Sequence, residues 1–236
     1  MMNAKDVIVA LDFKNKEEAL TFLRNFKESI YVKIGMELFY SAGPDIVREI
    51  KEMGHKIFLD LKFHDIPNTV AGATRSCLSL GVDMLNLHAS GGSKMMEAAM
   101  EEAKKADKMP LLIAVTVLTS MNEKTMKEEL HVETSIEDTV LNYARLSKNS
   151  GLKGIVCSAL EVERVRKEMG EDFVTVTPGI RPLDSSAGDQ SRVVTPERAR
   201  ELGSHYIVVG RPITKAQNPR EAYEKIRNEF LGGLER

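Results

Sequence analysis

Eight short apolar runs recur along the chain, each followed by an amphipathic stretch. The runs are residues 7–11, 31–35, 56–61, 84–87, 111–118, 154–157, 173–177 and 206–209, rich in Val, Ile and Leu. They show little apolar/polar alternation, the pattern of parallel strands buried on both faces. The intervening stretches, 16–29, 44–53, 69–80, 93–105, 135–148, 160–169, 196–202 and 219–231, have helical spacing. Gly43-Pro44, Thr195-Pro196 and Asn218-Pro219 place a proline at or near a first helical turn, where its missing N–H costs least. Gly54, Gly81, Gly151, Gly170 and Gly203 follow helical stretches, where a left-handed cap is wanted.

Dividing 236 residues by eight gives roughly 30 per unit, the size of one strand–helix repeat. Eight such units predict an α/β fold, a (β/α)8 TIM barrel in one domain spanning residues 1–236, with its active site at the C-terminal ends of the strands. The structural alternative is a doubly wound open sheet. That fold usually has a glycine-rich turn after its first strand, whereas this one ends in Ala10-Leu11-Asp12-Phe13.

Composition narrows the partners. Hydrophobic residues make up 42% and charged residues 29%, too apolar for disorder and too charged for a membrane protein. The net charge of −2 leaves no basic footprint for nucleic acid. Run 7–11 lies between Asp6 and Asp12, too short and too acidic for a signal peptide. Cys77 and Cys157 lie in apolar surroundings and read as buried, reduced thiols. A cytoplasmic protein is expected.

Two loops exceed the usual strand-to-helix connection, residues 119–134 and 179–194. The first has room for a short helix. Both follow strands, so both lie on the functional face of a barrel and read as lids over a ligand.

The third run ends KIFLDLKFHDIPNT. Asp60 and Lys62 are two apart, so on an extended strand they leave the same face, about 7 Å apart. Lys33 ends the second run, Asp12 the first, and Asp65 follows Lys62 by three. Alternating Lys and Asp across strand ends is hard to explain by stability, because buried ion pairs stabilise poorly compared with apolar packing. They read as a site. After the eighth run, Gly210 and Arg211 occupy the position where barrels commonly bind phosphate, and Arg181 and Gln190 in the second long loop could close on the same anion. No histidine pair has metal-ligand spacing. His88 ends the fourth strand, His64 lies between Lys62 and Asp65, and His55, His131 and His205 look peripheral. Cys157-Ser158 has no evident His and acid partner for nucleophilic chemistry.

Several of these motifs, in this order, resemble the orotidine 5′-phosphate decarboxylase family. They are VALD in the first strand, VKIG in the second and DLKFHDIPNTV at 60–70, then VTPGIRP at 176–182, DQ.RV.TP at 189–196 and VGRPIT at 209–214. The likeness covers essentially the whole chain. It implies decarboxylation of orotidine 5′-monophosphate to uridine 5′-monophosphate, the last step of de novo pyrimidine synthesis, with no cofactor and no metal. It also implies that Lys62 gives the proton to C6 and that Asp60 lies against the departing carboxylate, with Lys33 and Asp65 completing the charge network. Asp65 and Thr69 are expected to enter from the neighbouring subunit of a homodimer. Asp12 and Lys33 would bind the ribose, Thr119 or Ser120 the pyrimidine edge, and Arg181, Gln190, Gly210 and Arg211 the phosphate. Two rivals remain. One is a metal-dependent sugar-phosphate decarboxylase or epimerase on the same barrel, expected to carry an acidic ligand where Lys33 stands. The other is a non-catalytic barrel that binds a phosphorylated ligand.

Overall fold

The computed structural model describes residues 4–182 and 193–233. Eight parallel strands, β1 (Asp6–Ala10), β2 (Tyr31–Gly35), β3 (Lys56–Phe63), β4 (Met84–His88), β5 (Leu111–Val115), β6 (Gly154–Val156), β7 (Val174–Thr177) and β8 (Tyr206–Val209), close into a barrel in sequence order, with β8 pairing β1. Around them run α1 (Lys16–Leu23), α2 (Met36–Ala42), α3 (Asp45–Glu52), α4 (Pro67–Leu78), α5 (Ser93–Ala103), α6 (Glu123–Glu128), α7 (Ile136–Asn149), α8 (Val162–Met169), α9 (Pro196–Glu201), α10 (Arg211–Thr214) and α11 (Pro219–Leu231).

Strict alternation of one helix per strand therefore needs correction. α2 lies between β2 and α3, α6 sits inside the first long loop, and α10 follows β8 directly. These helices have four to seven residues. That is too short to show a periodic apolar stripe: α2 buries only Leu38 and α10 only Ile213. The eight longer-range helical stretches all form, most of them a few residues shorter than their apolar pattern.

The continuous apolar runs resolve into two cores, because side chains on a strand alternate between faces. Val7, Val9, Val32, Ile34, Ile57, Leu59, Leu85 and Leu87 point outward and join the helices in one cluster. Ile8, Ala10, Tyr31, Phe58, Met84, Ile113, Val174, Val176 and Val208 fill the barrel interior. Tyr31 and Tyr206 meet edge to face, ring centres 5.8 Å apart, near the N-terminal ends of the strands. One step further along the same inward-facing rows stand Lys33, Asp60 and Asn86. The barrel is thus plugged with apolar side chains below and lined with polar ones at its mouth.

Helix ends follow the punctuation. Thr195 and Asn218 cap α9 and α11 by accepting the N–H of Arg198 at 3.1 Å and Glu221 at 3.3 Å, each with proline next in sequence. Gly203 follows α9 at φ +88°, and a Cβ there would collide with the Arg166 guanidinium. The left-handed backbone disfavours any larger residue, and a Cβ would also displace the Arg166 side chain.

His55 and His205, peripheral to the barrel mouth, are nevertheless buried. The Nδ1 of His205 accepts the Thr175 N–H at 3.2 Å while Nε2 lies 3.0 Å from the Glu171 carbonyl, which suits the neutral Nε2–H tautomer. Burial, reinforced by Lys5 and Arg166, pushes its pKa down to about 4. An unfolded chain binds that proton near pH 6.5, so this group costs stability as pH falls from 6.5 towards 4. The expected cost between pH 7 and pH 4.5 is about 2 kcal/mol. Urea unfolding at the two pH values should show His205→Gln losing less stability than wild type by that margin; equal losses would contradict this role.

Candidate active site

The site begins with a break in the barrel ladder. β3 and β4 pair at Leu59↔Leu85 and next at Phe63↔Leu87, so four residues of β3 advance against two of β4. Within this bulge Lys62 adopts a left-handed backbone, φ +54°. For a residue with a Cβ that costs about 1–2 kcal/mol, a strain kept only where the surroundings enforce it. The reading of Asp60 and Lys62 as neighbours on a regular extended strand is thereby corrected. The bulge turns Lys62 back, and its Nζ lies 2.8 Å from Asp60 Oδ1.

Four side chains of alternating sign run across the barrel mouth. Asp12 Oδ1 is 3.0 Å from Lys33 Nζ, Lys33 Nζ is 3.4 Å from Asp60 Oδ2, and Asp60 meets Lys62. Asp60 is 8% exposed. Burial alone would raise its pKa, but Lys33 and Lys62, with hydrogen bonds from Lys62 and Asn86, hold the carboxyl below the usual carboxylate range. Burial likewise works against the Lys33 ammonium, yet Asp60 and Asp12 outweigh it and the pKa moves up. Both groups are therefore charged at neutral pH. Gly35, in register with Asp60, leaves room here: a Cβ would stand 3.1 Å from Lys33 Nζ.

Two hollows meet at this array. One, of about 200 Å³, has Lys33, Asp60, Lys62 and Asn86 on one side and an apolar wall of Val115, Val117, Val156, Pro178 and Val208 on the other. The second, of about 490 Å³, is lined by Asp12, Lys33, Arg181, Gly210, Arg211 and Lys215. Lys33, Pro178 and Val208 line both, so the hollows are continuous. A planar group fits against the apolar wall beside the ammonium groups, and four cations against one carboxylate make the other end an anion cleft.

Lys33, Asp60, Lys62, Asp12, Arg181, Gly210 and Arg211 thus come together as the sequence suggests. Thr119 lines the smaller hollow, whereas Ser120 is exposed and does not. Asp65 and Thr69 are exposed, and Asp65 accepts the adjacent Ile66 N–H at 2.7 Å, so among the described residues one chain alone does not bring Asp65 into the charge array. Gln190 lies outside the described residues. Among the described residues no group of three or more His, Cys, Asp or Glu side chains is arranged to hold a metal ion. His64 and His88 stack at 5.3 Å beside the array, and burial, with His64 and Lys62, lowers the His88 pKa.

Sequence reasoning missed Asn86 and Lys215. Lys215 lies four residues beyond Arg211, one helical turn on, a spacing that could have found it. Asn86 is a single polar residue in an apolar strand, a weaker signal; it is fully buried, donates to Asp60 Oδ1 at 2.6 Å and accepts the Lys62 N–H at 2.9 Å.

Taken together, a closed (β/α)8 barrel with a charged pocket opening into a cationic cleft at its C-terminal mouth defines a barrel enzyme with an anion-attracting site. Comparison with known proteins gives the lineage. Residues 5–226 match the Orotidine 5'-phosphate decarboxylase / HUMPS family, and the chain belongs to it. It is 57% identical to an orotidine 5'-phosphate decarboxylase of Bacillus cytotoxicus, over 97% of this chain and 98% of the relative. Among solved structures it superposes on the orotidine 5'-phosphate decarboxylase of Lactobacillus acidophilus with a TM-score of 0.87 at 42% identity, covering 96% of this chain and 99% of the other. The enzyme of the same name from Pyrococcus horikoshii OT3 gives 0.76 at 26% identity, with the same coverage.

The cleft makes its own prediction. Inorganic phosphate should bind there, and Arg211→Gln should weaken it about tenfold or more, the worth of one charge-assisted contact. Calorimetric titration at low salt checks this; an unchanged affinity would remove Arg211 from the anion site.

Proposed function

We propose that this protein decarboxylates orotidine 5′-monophosphate to uridine 5′-monophosphate, as one barrel domain over residues 1–236 with its active site at the C-terminal strand ends. The observation that carries the reading is Lys33 on β2, an ammonium paired with both Asp12 and Asp60. A metal-dependent sugar-phosphate enzyme would need an acidic ligand at that position, and two lysines flanking Asp60 repel a divalent cation.

Loss of CO2 from C6 of the pyrimidine leaves electron density in an sp² orbital with no adjacent π acceptor. A fixed ammonium is then the effective stabiliser, and Lys62 Nζ supplies both the field and the proton that ends on C6. Asp60 stands where the substrate carboxylate arrives, so repulsion between the two is relieved as CO2 departs. The apolar wall excludes water and strengthens the field of the lysines. Thr119 reads the pyrimidine edge, Asp12 and Lys33 hold the ribose, and Arg181, Gln190, Gly210 and Arg211 take the phosphate, with Lys215 added by the geometry. Binding energy from the remote phosphate holds the ring in a pocket whose charge would otherwise expel it. The chemistry requires neither cofactor nor metal.

The site is completed by a second copy of the chain, Asp65 and Thr69 reaching into the neighbouring subunit. Residues 64–69 are all exposed on the single chain, Ile66 at 67%, which supports their docking on a partner. Among the described residues no helix is long and apolar enough to cross a membrane. Buried free thiols at Cys77 and Cys157 support a cytoplasmic setting.

Purified protein mixed with orotidine 5′-monophosphate in EDTA should show the ultraviolet change of the pyrimidine as the carboxylate leaves. Activity that vanishes in chelator and returns with Mg²⁺ would overturn the reading. Lys62→Ala should lower turnover by at least about a thousandfold while uridine 5′-monophosphate still binds. The subunit arrangement has a separate check. Lys62→Ala and Asp65→Ala, each inactive alone, should regain about a quarter of wild-type activity when unfolded and refolded together, since half of randomly formed dimers carry one intact site of two. No recovery would mean that Asp65 serves its own chain.

A further inference from the structure

We propose that Asn86 is a positioning residue that holds Lys62 in its left-handed backbone and keeps Asp60 aligned beneath it. The inference rests on the decarboxylase reading and assigns a job within that same site.

Three observations carry it. First, the bulge between Leu59 and Phe63 takes the Lys62 N–H out of the regular β3–β4 ladder, and the side chain of Asn86, rather than a backbone carbonyl, accepts it at 2.9 Å. Second, the same amide donates to Asp60 Oδ1 at 2.6 Å, the oxygen that also accepts Lys62 Nζ at 2.8 Å. Third, Asn86 is fully buried on β4, between Leu85 and Leu87 of the outer core, so packing fixes its direction. One planar group therefore ties the backbone of Lys62 to the carboxylate that its own ammonium meets. A primary amide does both at neutral pH from one planar group, its oxygen accepting from an N–H and its NH2 donating to a carboxylate. An apolar residue would leave a buried N–H and a buried carboxylate oxygen each short of a partner. A carboxylate would place like charges in contact.

Other groups bear on Asp60 and are unchanged by the substitution. Lys33 faces it from β2 with Asp12 behind it from β1, Lys62 from β3, and His88 from β4 with His64 stacked on its ring. The phosphate cleft shares no wall with Asn86. Loss of the amide should therefore act on chemistry and not on capture of the nucleotide.

The test uses Asn86→Ala and Asn86→Asp in the full-length protein, with wild-type turnover of orotidine 5′-monophosphate as the control. Expected for N86A is a kcat loss of about a hundredfold or more with KM changed by less than about fivefold, the signature of a misplaced reacting group. The acid limb of the kcat profile should also move to higher pH, because Asp60 has lost a donor that favours its ionised form. N86D keeps the side-chain volume and the acceptor for Lys62 but loses the donor to Asp60. It should move the acid limb further than N86A, as two carboxylates share a proton. A crystal structure of either variant should show Lys62 leaving the left-handed region or Asp60 rotated from Lys62, a readout independent of turnover. A kcat within about threefold of wild type, an unmoved acid limb, or an unaltered Lys62–Asp60 geometry overturns the inference. If wild type itself fails to turn over orotidine 5′-monophosphate, the decarboxylase reading falls, and the geometry of the variants still decides whether Asn86 holds Lys62.

Discussion

A buried carboxylate held between two ammonium groups is the constraint around which the rest is arranged. Asp60 contacts Lys33 at 3.4 Å and Lys62 at 2.8 Å, and with only 8% of its surface exposed it has little water to replace them. Such an array is a poor way to stabilise a barrel, because the desolvation of each ion offsets much of the attraction it gains. It persists because the surrounding elements are rigid. β2 and β3 are locked in register by their ladder, α3 packs its Ile46, Val47 and Ile50 face into the outer core, and the aromatic plug at the opposite end fills the barrel interior.

The strain is confined to one place. Lys62 alone carries the left-handed backbone within the charge array, at the point where the β3–β4 ladder breaks. A regular strand would send its ammonium along the face of the sheet, parallel to Asp60. The bulge instead brings it onto Asp60 at 2.8 Å, in a hollow that an apolar wall also lines, where a developing negative charge has few competing solvent dipoles.

Much of this was legible in the chain. The eightfold repetition announced the barrel because parallel strands must be apolar on both faces and each needs a crossover helix. Lys33, Asp60, Lys62 and Arg211 stood out because charged residues at the ends of buried strands have no structural reason to be there. α2, α6 and α10 did not stand out, being too short for their periodicity to show. Nor did Asn86, since one polar residue in an apolar run looks the same whether it faces a pocket or binds its own backbone. Between Thr119 and Ser120 the residue types carry no distinction, and only the course of the chain after β5 puts Thr119 against the hollow.

The sequence by itself determined the class of fold, the end of the barrel that carries the chemistry and the kinds of charge found there. Those depend on periodicity and on position along a strand, both of which are properties of the linear chain. Tertiary structure alone decided that Asp12, Lys33, Asp60 and Lys62 form one connected line, that Asn86 completes it, and that Asp65 of the same chain stays outside it. The physical reason is register. Which side chains meet across a barrel depends on how far each strand slides past its neighbour and where a ladder breaks, and a shift of two residues in β3 against β4 leaves no trace in composition or spacing.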